Sequence, residues 1–210
     1  MSLIIIAAAL LAADDKIDAA DLAAIKKAIA GRVTLDKRSG TIQIVYDLRL
    51  PKQGADFVVS DKPAIVKNGL QLKPSVVATH VVPWQSVAVE AGVQVPKMGG
   101  TVLTADQSKV SLGLGGDNSD TVYLQIANPK LSKQVIVPVA ERSGLKTILL
   151  ELNESTSVIG YSSYQISEPT KLGAAGKIEF HGGNYGYGFR SIVFRGKPDP
   201  EWLKGLAAKK

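Results

Sequence analysis

Residues 41–48 read TIQIVYDL, with Ile42, Ile44, Tyr46 and Leu48 on every second position. A period of two puts one row of side chains on a core and the other in water, as in a half-buried β-strand. The same alternation returns in residues 86–95, SVAVEAGVQV, and in residues 121–127, TVYLQIA. Further short runs recur between residues 41 and 196 with almost no helical period among them. Strands spaced by roughly 8–12 residues predict an antiparallel sandwich or barrel.

Working outward, residues 33–35 open the set and residues 57–60 form a short strand. Asn68-Gly69 stands between AIVK (64–67) and LQLK (70–73). That dipeptide predicts a two-residue hairpin, because both central positions of the turn need positive φ. Residues 76–82 and 86–95 read as two strands broken by Pro83. After a turn at Gly99-Gly100, residues 101–105, 109–114 and 121–127 form a meander, which 135–139 and 145–152 continue. Residues 158–166 supply one or two strands, and 177–180 and 189–195 close the series. No internal repeat is visible, and helices do not alternate with strands, which excludes solenoids and a parallel α/β sheet. About a dozen strands in roughly 170 residues suit a large two-sheet jelly roll.

Helical period occurs at the two ends. In residues 18–31, DAADLAAIKKAIAG, the apolar Leu22, Ile25 and Ile29 fall on one stripe. Asp18 is a natural N-cap with Asp21 three residues on, Lys26 and Lys27 suit the negative end of the dipole, and Gly31 is placed to stop the helix. Pro198-Asp-Pro-Glu-Trp202-Leu203 predicts a turn and a short terminal helix. Residues 3–13, LIIIAAALLAA, are too short to span a bilayer. They fit the apolar part of a secretory signal, with a short buried helix as the alternative. The expected organisation is therefore a signal remnant or apolar segment at 1–13, an amphipathic helix at 14–31 and a β-sandwich at 32–210. The expected location is secreted or periplasmic, with no stable membrane span.

Composition narrows the chemistry. The chain is 45% hydrophobic but only 6% aromatic, so its core must be built mainly of Val, Ile, Leu and Ala. It has no cysteine, which excludes disulfides, thiolate metal sites and a cysteine nucleophile. The formal charge is +6, yet the basic residues are scattered, with tight pairs only at Lys26-Lys27, Lys37-Arg38 and Lys209-Lys210. None lies in an aromatic nucleic-acid motif, so no nucleic-acid partner is expected.

Several blocks occur in a characteristic order: YDL at 46–48, Asp56-Phe57, VKNGL at 66–70, SVAVEA at 86–91, GKIEF at 176–180 and FRSIVFRG at 189–196. In these the chain resembles the concanavalin A-like lectin/glucanase and laminin-G-like jelly-roll domains of secreted bacterial proteins, over residues 33–203. The resemblance implies an all-β, antiparallel two-sheet jelly-roll sandwich, here with an N-terminal α-helix. It also implies carbohydrate as the partner. Laminarinase-type members carry a Glu-x-Asp-x-x-Glu strand, which is absent here. The expectation is thus a non-catalytic secreted module that binds carbohydrate or another surface polymer. Two alternatives stay open: a hydrolase or lyase with a non-standard site using Glu151, His181 or Glu179, and a structural domain with a protein partner.

Two segments carry candidate site residues. In GGNYGYG (182–188), glycines leave backbone amides accessible and tyrosines offer flat faces for sugar rings. Tyr185 and Tyr187 are the expected platforms, with His181, Asn184 and Arg190 as hydrogen-bonding partners. A flexible hairpin loop whose tyrosines lie on the sandwich is the other reading. In GGDNSD (115–120), Asp117, Asn118 and Asp120 offer oxygen ligands for calcium, the one cofactor the sequence leaves open, although a plain turn uses the same residues. His80 and His181 are far apart in sequence, and Trp84 and Trp202 read as core or lid residues.

Overall fold

The computed structural model describes residues 17–115, 121–126, 131–153, 155–169 and 173–208. The apolar segment 1–13 and the calcium candidates Asp117, Asn118 and Asp120 lie outside the described residues. Among the described residues there are fifteen strands. They are β1 (Arg32–Asp36), β2 (Thr41–Asp47), β3 (Phe57–Val59), β4 (Lys62–Pro63), β5 (Leu70–Leu72) and β6 (Val77–Val95). Next come β7 (Gly100–Ala105), β8 (Val110–Leu114), β9 (Thr121–Ile126), β10 (Leu131–Ile136) and β11 (Gly144–Leu152). The last are β12 (Thr156–Tyr161), β13 (Tyr164–Pro169), β14 (Gly176–His181) and β15 (Tyr187–Pro198). Helices α1 (Ala19–Ala28) and α2 (Pro200–Ala207) flank them.

All pairings are antiparallel, and they sort into two layers that share β6. Layer A runs β1-β2-β15-β6-β11-β12-β13, with β5 on the start of β15. Layer B runs β4-β3-β6-β14-β7-β8-β9-β10. The first half of β6 pairs β14, from His181 opposite Val77 to Gly176 opposite Trp84. Its second half pairs β15 and β11, reaching Gly188 opposite Gln94 and Gly144 opposite Val95. The layers face each other across rings: Tyr46 on Phe57 at 5.0 Å, Phe180 on Phe189 at 5.2 Å and Phe180 on Phe194 at 6.1 Å between centroids. The molecule is an antiparallel two-sheet jelly-roll sandwich with an N-terminal helix, as the alternation implies.

Pro83 does not break a strand. It sits at the passage of β6 from layer B to layer A, where both neighbours adjust to its missing N–H. The β14 ladder shifts register between Lys177 and Glu179, and the β15 ladder between Lys197 and Pro198. The Pro83 carbonyl stays satisfied by the Asp199 N–H at 2.9 Å. Asn68 and Gly69 do adopt positive φ, 56° and 123°, but they close no hairpin. Residues 64–67 form no strand, and β5 pairs β15 instead. The meander of β7, β8 and β9 is present and continues into β10, which is Leu131–Ile136 rather than 135–139, whereas β11 crosses to layer A.

Helix α1 has the expected capping box: the Asp21 N–H donates to Asp18 at 2.7 Å, and the Asp18 N–H to Asp21 at 3.4 Å. Gly31 is not its stop, because the helix ends at Ile29 in extended geometry. Gly31 is instead a close approach: a Cβ there would lie 2.6 Å from the Tyr46 ring and 2.8 Å from Ile44. Ile25 and Ile29 belong to the same core as the strands, and Trp202, Leu203 and Leu206 of α2 lie against it. No helix among the described residues is long and apolar enough to cross a membrane.

Candidate ligand-binding surface

The glycine–tyrosine segment carries the chain from β14 in layer B to β15 in layer A. Backbone bonds tie it to two neighbouring turns: the Ser75 N–H donates to the Gly183 carbonyl at 2.9 Å, Gly182 N–H to Val76 at 2.8 Å and Asn184 N–H to Gly99 at 2.9 Å. Tyr187 is 1% exposed, and its hydroxyl donates to the Gly99 carbonyl at 2.5 Å and accepts from the Gly99 N–H at 3.0 Å. It therefore anchors the loop from within and offers no face to a sugar, which corrects its expected role as a platform. Tyr185 is half-buried; the Lys97 ammonium stands 4.8 Å from its ring centroid. Asn184 is exposed.

The two flanking candidates part company. Phe180 and Phe189 both point into the core, so their neighbours point out on opposite sides of the sandwich. His181 lies on the outer surface of layer B, its Nε2 3.6 Å from Glu179 Oε2. Burial holds its imidazole below the ordinary value, so it is neutral at pH 7, and burial pushes the Glu179 carboxyl up, with Asp106 adding to the rise. Arg190 lies on the outer surface of layer A, beside a bulge that leaves both Arg190 and Ser191 exposed. Its guanidinium donates to Gln94 at 3.5 Å. Among the named site residues, only Asn184 and Tyr185 stay together in the loop.

Layer A's outer surface is the richer one. Along β6, Val87, Val89, Ala91, Val93 and Val95 face the core, so Ala88, Glu90, Gly92 and Gln94 face out. Glu90 stands 3.6 Å from Arg195 on β15. Beside it runs a shallow groove of about 230 Å³, lined by Glu90, Thr147, Leu149, Gly160, Ser162 and Gln165 among others. Leu149 is opposite Glu90, and Glu151 is opposite Ala88. The two carboxylates thus sit diagonally on neighbouring strands, a Cα spacing of about 7–8 Å. Glu179 and His181 lie on the other layer from Glu151, so a site built on Glu151 is separate from one built on Glu179 or His181. Glu90, Gln94 and Arg195 were not singled out from sequence, although the alternation of SVAVEAGVQV already put Glu90 and Gln94 on one outward row.

No protein-family model and no curated protein sequence matches the chain. Solved structures do. The apo Crh5 transglycosylase superposes with a TM-score of 0.54 at 11% identity, over 73% of this chain and 84% of that one. Crh5 in complex with NAG gives 0.50 at 10% identity, over 73% and 83%. The Bacteroides ovatus protein described as Xyloglucan PUL GH43B gives 0.52 at 14% identity, over 72% of this chain and 38% of that one. The similarity is one of fold.

Proposed function

We propose that this chain is a non-catalytic, secreted module of concanavalin A-like type that binds carbohydrate or a related surface polymer across the outer surface of layer A. The observation that carries the reading is the row formed by Arg190, Gln94, Glu90 and Arg195 beside a shallow groove. Paired guanidinium, amide and carboxylate groups on a rigid sheet suit ligands that present many hydroxyls. The shared fold with Crh5, a protein solved with bound NAG, supports the same reading.

One observation favours a second reading. Glu90 and Glu151 share this surface on neighbouring strands, which puts two carboxylates, the residue types a glycosidase uses as acid and base, within one site.

The test is a glycan-array screen of the full chain with and without calcium. A specific hit is expected, weakened by Arg190→Ala combined with Glu90→Gln and less affected by Tyr185→Ala. Folded protein that binds no glycan overturns the proposal. Sugar release from the bound polymer, abolished by Glu151→Gln, selects the hydrolase instead. A hit that needs calcium is expected to vanish in Asp117→Asn with Asp120→Asn.

A further inference from the structure

Layer B carries a cavity on the opposite side of the sandwich from the groove. Its volume is about 530 Å³, within the range of small-molecule sites. The pairing explains its floor: Val58 on β3, Thr79 on β6 and Glu179 on β14 lie side by side, all pointing away from the core. The β3–β4 turn at Asp61 and the turn at Ser75, both at positive φ, raise the rim, and Val77 closes one wall.

The lining has a defined chemistry. Valines supply apolar walls that fit the C–H face of a ring. Thr79, Ser75, Asp61 and Glu179 supply hydroxyl and carboxylate groups. Glu179 is 30% exposed at its side chain, and the nearby His181 Nε2 is shielded from water and makes no hydrogen bond in the chain. These two atoms stand 3.6 Å apart, too far to bond directly. His181 lies outside the lining and its Nε2 is closed to solvent, so the Glu179 carboxylate is the group that accepts from a sugar hydroxyl. Among the described residues no Lys or Arg lines the cavity, while two carboxylates do. An acidic sugar would therefore meet like charge from the lining itself, with Lys109 outside it acting on Glu179 in the opposite sense.

We propose that this cavity is a second saccharide site, taking one neutral sugar unit and rejecting uronates. It rests on the glycan reading above and makes the module two-sided, able to hold two polymer chains on opposite faces. Linking two such sites raises retention on a polymer without any new contact at either one.

The experiment is a titration of isotope-labelled full chain with methyl glucoside, methyl mannoside, methyl xyloside and N-acetylglucosamine, with glucuronate as the acidic control, followed by amide chemical shifts. At least one neutral sugar is expected to move the amides of Val58, Ser75, Thr79 and Glu179, while glucuronate moves none of them. Glu179→Gln and Thr79→Val, both on the outer surface, should each weaken that response by about tenfold, and Arg190→Ala should leave it unchanged. If array binding is lost in the Arg190→Ala, Glu90→Gln variant but no sugar moves the cavity amides, the second site falls and the glycan reading stands. If no sugar moves the cavity amides and the array is blank, both fall. An equal response to glucuronate overturns the stated selectivity.

Discussion

His80 is fully buried, its ring stacked on Phe194 at 4.1 Å between centroids. The Tyr46 hydroxyl donates to Asp56 at 2.8 Å, so at 2.8 Å from His80 it accepts, and the imidazole proton is assigned to Nε2. Asp56 also accepts from the Ala30 and Gly31 N–H groups at 2.7 and 3.1 Å, which ties the exit of α1 to the core. Burial pushes the His80 imidazole down from 6.5 to about 3. The unfolded chain takes up this proton near pH 6.5 and the folded one does not until about pH 3, so stability falls as pH drops through that window. The slope is up to about 1.4 kcal/mol per pH unit. Asp56 acts in the opposite sense, because burial raises its carboxyl and the folded state gains from its protonation in acid. Urea unfolding at steps between pH 7 and pH 4 should show the wild type losing stability toward acid, and His80→Gln losing markedly less. Parallel curves for the two proteins would remove His80 as the source.

At the scale of elements, legibility follows the range of the interactions involved. Period-two alternation announced β2, β6 and β9, and the Asp18–Asp21 box announced α1, because each depends on residues close in sequence. Asn68-Gly69 gave the right φ values and the wrong partner, since the choice of β15 over residues 64–67 is made by packing far along the chain. Pro83 was misread for the same reason: its tolerance comes from irregular pairing on β14 and β15, more than 90 residues away in sequence. The site divided similarly. The unusual loop was visible, but not that Tyr187 turns inward, nor that Arg190 and His181 emerge on opposite surfaces. Gly31 gives the sharpest check. In the sequence it reads as a helix stop, whereas the structure makes it a contact with Tyr46 at ordinary φ. Gly31→Ala should therefore destabilise by about 1–3 kcal/mol, by displacing Tyr46 from Asp56 and His80. A stop-signal role would leave Asn at this position harmless, so Gly31→Asn with unchanged stability in urea would contradict the contact.

For the molecule as a whole, β6 decides how the parts unfold. It pairs β3 and β14 in layer B and β15 and β11 in layer A, so neither layer can come apart without stripping a strand from the other. The core is continuous as well: Phe194 of layer A lies 5.6 Å from Trp84 at the crossing and 6.1 Å from Phe180 of layer B. Both helices feed into it, α1 through Ile25 and α2 through Trp202, Leu203 and Leu206. Chains of this size often unfold through intermediates, but that requires a subset of elements with its own core. Here the expected behaviour is a single transition. In a Trp202→Phe variant, Trp84 becomes the only tryptophan and reports on the crossing point, while far-UV circular dichroism reports on all strands. The two urea curves should share one midpoint and one slope. Were the dichroism to fall first while Trp84 fluorescence held, the outlying strands β8 to β10 would be the natural unit to leave, since they join the rest through β7 alone in the sheet order.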